Sequence, residues 1–252
     1  MITPNPQNPG GSGPAASNNG ALRNFTLRVV SAAVLAPIAL LSTYIGGWLF
    51  VIFCATAAAA ILWEWTSLVA SGRDRHSAGA TLLWGAGGLV YAGTTFVSPV
   101  LLRRDPVWGL TALLFLFAIV WATDILAYLV GRAVGGPLLW PRLSPNKTWA
   151  GAIGGSVGGV AAGTLVAYAN GGTNPLMAGV LALILSIVAQ AGDLFESGVK
   201  RRFGVKDASN LIPGHGGVMD RLDGFLFAAT VAVVIGLVRQ GLGAPAQGLL
   251  VW

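Results

Sequence analysis

Charge is what this chain has least of. Asp, Glu, Lys and Arg together make up 10% of the residues, with nine acids and two histidines in the whole sequence. That scarcity argues for an integral membrane protein rather than a water-soluble one. Cysteine is represented by Cys54 alone, inside an apolar segment, so an intramolecular disulfide is excluded and the thiol reads as a core residue. Residues 1–22 carry no charged side chain and are rich in Pro, Gly, Asn and Ser. They are too polar for a signal peptide and read as a disordered tail, placed at 1–24.

What is present is apolar surface. Hydrophobic residues make up 54% and mean hydropathy is +0.71. A helix needs about 20 apolar residues to cross a bilayer, and lipid leaves only helices or closed barrels as spanning structures. The apolar windows are continuous rather than alternating, which predicts helices. Seven windows qualify: 29–45, 48–69, 79–101, 107–130, 149–169, 176–195 and 219–238, the first holding Pro37, where a kink is expected. The predicted fold class is therefore all-α: a polytopic membrane helix bundle of about seven transmembrane helices, with eight or nine as the upper range. It forms a single transmembrane domain over 25–252.

With a cytoplasmic N-terminus, only Arg103, Arg104 and Arg239 fall outside; every other Lys and Arg falls inside. This is the bias expected of a membrane protein, and it accounts for the net charge of +6 without nucleic acid as a partner. Within "GAIGGSVGGVAAG", Gly151, Gly155, Gly159 and Gly163 recur every four residues. They form a smooth helix face suited to close packing, inside the bundle or at a homodimer interface.

The acids divide unevenly. Asp74 and Asp105 fall in connecting loops and read as solvated, and Glu64, between Trp63 and Trp65, reads as interfacial. Asp124 lies in the apolar "WATDILAYLVGR" and must face the bundle interior or water. In "AQAGDLFESGVKRR", Asp193, Glu196, Ser197 and Lys200 share one helix face; Asp220 and Asp223 share another. Both pairs meet one polar loop, "KDASNLIPGHGGVMDRLDG". Carboxylates gathered this way repel unless a cation compensates, and hard oxygens without Cys favour Mg²⁺ over zinc. The plainer alternative is ion pairing with Lys200, Arg201, Arg202 and Arg221. Lys147, Lys200, Arg201, Arg202 and Lys206 suit phosphate groups of a nucleotide or lipid, though positive-inside charge alone serves equally for Arg202. Gly214, Gly216 and Gly217 allow close backbone approach beside His215, which reads as a phosphate binder or carboxylate orienter.

The run from Ser197 to Asp223, "SGVKRRFGVKDASNLIPGHGGVMDRLD", resembles the signature of the phosphatidate cytidylyltransferase (CDP-diacylglycerol synthase) family. "WATDILAYLVGR" and "SPNKTWAG" resemble it too, so the likeness covers roughly the second half of the chain and places the active site at about 120–224. The resemblance implies condensation of CTP with phosphatidate to CDP-diacylglycerol and pyrophosphate, dependent on Mg²⁺ with room for a second cation. It implies metal ligation by Asp193, Asp220 and Asp223, and catalysis by these together with Lys200. Substrate contacts are expected from Ser144, Lys147, Ser197, Arg201, Lys206, His215, Arg221 and Asp124. The chain departs from the pattern at Ala150, where Glu is usual. Membrane lipid is the implied surrounding, and the cytoplasmic side of a bacterial inner membrane the implied location. A CTP-dependent polyprenol or lipid kinase and an ion-coupled transporter are the competing readings.

Overall fold

The computed structural model describes residues 14–72, 77–171, 174–212 and 216–252. Helix α1 (Pro14–Ile45) runs through Pro37 and is followed by α2 (Gly47–Ser71), α3 (Ala78–Arg103) and α4 (Gly109–Val134). A hairpin, β1 (Leu138–Trp140) and β2 (Ser144–Thr148), precedes α5 (Trp149–Ala169), α6 (Pro175–Arg202), α7 (Met219–Gln240) and the short α8 (Pro245–Leu250). Helices α2 to α7 are each long and apolar enough to cross a membrane, and Val30–Ile45 of α1 forms a shorter apolar stretch. Each of the seven apolar windows thus corresponds to one helix.

Helix α1 extends back to Pro14. The all-α class holds, with an antiparallel two-stranded hairpin added to the bundle. Pro137, Pro141 and Pro145 block a helix there, and the extended backbone pairs instead. Asp105 is not solvated: it is buried, and accepts from the backbone N–H groups of Val107, Trp108 and Gln247. It thereby ties the α3–α4 turn to α8.

Two buried clusters hold the bundle. The larger centres on α4, with Leu113, Phe115, Leu116 and Ile119 fully enclosed. The second joins α2 and α3 to the facing ends of α6 and α7 through Ile61, Trp65, Tyr91, Phe203 and Met219. Outward faces stay apolar, with Trp48, Leu82 and Val238 largely exposed, as suits side chains facing lipid.

The glycine stripe of α5 is taken up within the chain. A Cβ on Gly151 would lie 2.7 Å from the Ala127 carbonyl oxygen, and one on Gly155 2.7 Å from that of Thr123. Gly159 and Gly163 face Ser186 and Ala182 of α6 as well as α4. This close approach of α4, α5 and α6 brings Asp124, the start of α5 and Gln190 around one space. At the other end of the bundle, Arg103 donates to the carbonyls of Thr43 and Tyr44, satisfying the last turn of α1. Arg239 donates to those of Gly248 and Val251 and stacks on Trp252.

Candidate active site

Five helix ends and the hairpin converge on one side of the bundle: the C-terminal ends of α2, α4 and α6 and the N-terminal ends of α5 and α7. All of these but α2 line a cavity of about 450 Å³. α4 contributes Asp124 and Tyr128, β2 contributes Ser144, Asn146, Lys147 and Thr148, and α6 contributes Gln190, Asp193, Glu196 and Lys200. Asp207 comes from the α6–α7 loop, and Asp220, Arg221 and Asp223 from α7. Asp124 sits ten residues from the end of α4, so the cavity reaches about 15 Å along the helices. Gln190, which lines it, donates to Ser156 Oγ at 3.0 Å, and the buried Thr123 and Ser186 hydroxyls lie 2.8 Å apart in the packing behind.

The local sequence explains how these groups are held. The side chain of Thr148 accepts from Gly151 N–H and caps α5 immediately after the strand that carries Lys147. Lys147 pairs with Asp193 across the cavity. Lys200 bridges two carboxylates, 2.8 Å from Glu196 Oε2 and 2.5 Å from Asp220 Oδ1. Asp220 Oδ2 accepts from the N–H groups of Ala208 and Gly217, at 3.1 and 2.7 Å. Gly216, with φ of +85°, passes so close to that oxygen that a Cβ would lie 2.8 Å away.

Asp193, Glu196 and Asp223 each offer an oxygen within 4.8 Å of the others. Glu196 is 1% exposed, and its Oε1 is buried without a hydrogen-bond partner. A buried carboxylate oxygen is costly to leave unsatisfied. Three hard oxygen donors with one unfilled acceptor therefore fit a Mg²⁺-type cation, and there is no Cys or His in the group to favour zinc.

Of the residues singled out from the sequence, Asp124, Ser144, Lys147, Asp193, Lys200, Asp220, Arg221 and Asp223 line this one cavity. Ser197, Arg201 and Lys206 do not line it; Arg201 donates instead to the Val205 carbonyl. His215 and Asp74 lie outside the described residues. Glu196 was visible from its spacing on the Asp193 face but was not placed in the metal set, whereas Asp220, which was, has both oxygens engaged by Lys200 and the loop backbone.

Residues 83–238 match the model of the cytidylyltransferase family. The chain belongs to the cytidylyltransferase family. Among its relatives, a phosphatidate cytidylyltransferase of Brucella abortus is 42% identical over 86% of this chain and 95% of its own length. One from Bacillus subtilis is 40% identical over 55% of this chain and 52% of its own, and one from Staphylococcus haemolyticus 42% over 55% and 53%. The family match covers every cavity residue, and the structure adds Asn146, Thr148, Gln190 and Asp207 to the site of this family member. No spacing rule marks those four, because they reach the cavity from three separate elements.

Glu64 requires a correction. It is not interfacial but fully buried, accepting from Ser209 Oγ and from the N–H groups of Val218 and Met219. Its flanking tryptophans suggested an interface, yet the helix turns Glu64 and Trp65 inward while Trp63 stays outside.

Proposed function

We propose that this chain condenses CTP with phosphatidate to give CDP-diacylglycerol and pyrophosphate. The observation that carries the reading is the cavity itself, where six carboxylates and three cations meet at one end of a membrane bundle, in a chain of the cytidylyltransferase family. A phosphatidate phosphate oxygen attacks the α-phosphorus of CTP; a P–O bond forms, the bond to the bridging oxygen of the leaving phosphates breaks, and pyrophosphate departs. Such chemistry needs positioning and charge neutralisation more than covalent help.

Asp193, Glu196 and Asp223 are the residues suited to hold Mg²⁺, with Asp220 joined to them through Lys200. When bound, the cation supplies charge neutralisation on the reacting phosphate oxygens. Lys147, Lys200 and Arg221 bring positive charge to the same space and offset the polyphosphate. Asp124 and Gln190 line the deeper part and, with Asn146 of the hairpin, orient what enters. The polar mouth admits CTP from water, and the apolar outer faces of the bundle place the lipid in the adjoining bilayer. The preponderance of Lys and Arg on the side of the cavity supports a cytoplasmic face there, in a bacterial inner membrane with the N-terminus inside.

The test is direct. Purified protein with labelled CTP, phosphatidate and Mg²⁺ is expected to yield a labelled lipid and release pyrophosphate. CDP with a phosphorylated lipid would assign a kinase instead, and solute uptake into proteoliposomes without synthesis would assign a transporter.

A further inference from the structure

Glu64 belongs to α2, outside the family's signature run, and no step of the proposed chemistry uses it. Yet few side chains in the molecule are held so fully. Its Oε1 accepts from Ser209 Oγ at 2.6 Å and from Val218 N–H at 2.8 Å, and its Oε2 from Met219 N–H at 2.7 Å. The carboxylate is 0% exposed. Gly217 passes directly over it: a Cβ there would lie 2.6 Å from Oε1 and 2.8 Å from Oε2.

The partners identify the purpose. Val218 and Met219 open α7, where backbone N–H groups have no partner within the helix, and Val218 has no side-chain cap of its own. A carboxylate at that end also meets the favourable end of the helix dipole. Glu64 therefore caps α7 from a different helix. Ser209 stands two residues after Asp207, and Val218 two before Asp220, and both of those acids line the cavity. Asp220 grips the same loop from the cavity side through Ala208 and Gly217 N–H. The loop backbone is thus fastened between two carboxylates, one facing the cavity and one behind it.

We infer that Glu64 is the positioning residue of the active-site loop: from behind, it seats Ser209 and Gly217–Met219 and so holds Asp207 and Asp220 at the cavity. It touches no cavity surface and acts through the loop. This rests on the activity proposed above only in that the loop's order is expected to set turnover.

Glu64→Gln keeps the shape but presents an N–H₂ where at least one N–H or O–H now donates, so a buried donor faces a donor. Hydrogen exchange of peptides covering 205–219 in detergent-solubilised protein reads the seating directly, beside kcat, KM and thermal melting. For E64Q, exchange at 205–219 is expected to quicken at least tenfold while α4 peptides stay as in wild type. kcat is expected to fall at least tenfold, with a smaller change in KM for phosphatidate. Glu64→Asp keeps the charge and is expected to recover part of both. A folded E64Q with wild-type exchange, or with faster exchange and unchanged kcat, overturns the inference. If E64Q does not fold, Ser209→Ala is read in its place, since it deletes one of the three bonds and leaves α7 capped. About threefold faster exchange and a threefold lower kcat then support the inference, and wild-type values overturn it. If the wild-type chain makes no CDP-diacylglycerol, the proposed activity fails alone, and the exchange measurement still decides whether Glu64 seats the loop.

Discussion

At Asp193, Glu196 and Asp223 the side-chain oxygens stand within 4.8 Å of one another, a spacing at which like charges repel unless a cation stands near them or a carboxyl takes up a proton. Lys147 and Lys200 stand beside them, Lys200 nearly buried at 12% exposure and Lys147 more open at 31%. These environments separate the expected effects. Asp193→Asn, Glu196→Gln and Asp223→Asn each keep the shape and remove a charge, and each is expected to lower Mg²⁺-dependent kcat/KM by at least about a thousandfold, about 4 kcal/mol. A Mg²⁺ titration with melting in detergent checks this; variants that keep more than about a tenth of the rate (about 1.4 kcal/mol) would show that the acids are counter-ions only. Lys147→Gln is expected to raise KM for CTP or phosphatidate about tenfold with little change in melting. Lys200→Gln leaves Glu196 and Asp220 buried without their cation, and is expected to cost about 3–5 kcal/mol of stability as well as activity. Comparing the two melting curves with steady-state kinetics distinguishes a charge over the cavity from a charge inside its wall.

At the level of elements, the approach of α5 to α4 sets the width of the cavity, and the glycines set that approach. A methyl group on Gly155 would meet the Thr123 carbonyl at 2.7 Å and the Ala127 methyl at 2.9 Å, neither of which can swing aside. Gly155→Ala is expected to destabilise by about 1–3 kcal/mol through overpacking. Gly93→Ala, in α3 with open space around it, is expected to leave melting unchanged or slightly raised. Thermal melting of the two variants side by side checks the contrast. The hairpin and α5 form one unit, because Thr148 ends the strand and caps the helix. Thr148→Ala is expected to cost about 1 kcal/mol and to lower turnover by loosening Lys147 next to it.

Taken whole, the molecule separates its charge between two ends. One end carries the cavity and its cations; at the other, Arg103 and Arg239 are held by backbone carbonyls rather than facing a ligand. That difference in use supports the proposed orientation. Cysteines introduced at the exposed Arg142 and Asn210, each in a Cys54→Ala background, are expected to resist an impermeant thiol reagent added to intact cells and to react once the membrane is opened. Labelling of either from outside would reverse the topology. Asn210 is the better position than Ser209, whose hydroxyl is spent on Glu64.

The sequence by itself determined the membrane class, the seven apolar segments and the family resemblance, because continuous hydropathy and motif spacing are properties of neighbouring residues. It also placed Asp193 with Lys200 and Asp220 with Asp223, since a helix converts a separation of three or seven into a shared face. Only the tertiary structure decided which of those faces meet. Glu196 entered the acid cluster because α6 turns it toward Asp223, and Asp220 was drawn to Lys200 and the loop because a buried carboxylate takes whatever donors lie nearest. Asp105 and Glu64 were misread for the same reason. Asp105 meets Val107 and Trp108 within its own turn, but its other oxygen takes Gln247 N–H 142 residues away, and Glu64's partners lie up to 155 residues away. No local pattern records which distant backbone N–H groups will be left without a partner until helices pack and a carboxylate arrives to satisfy them.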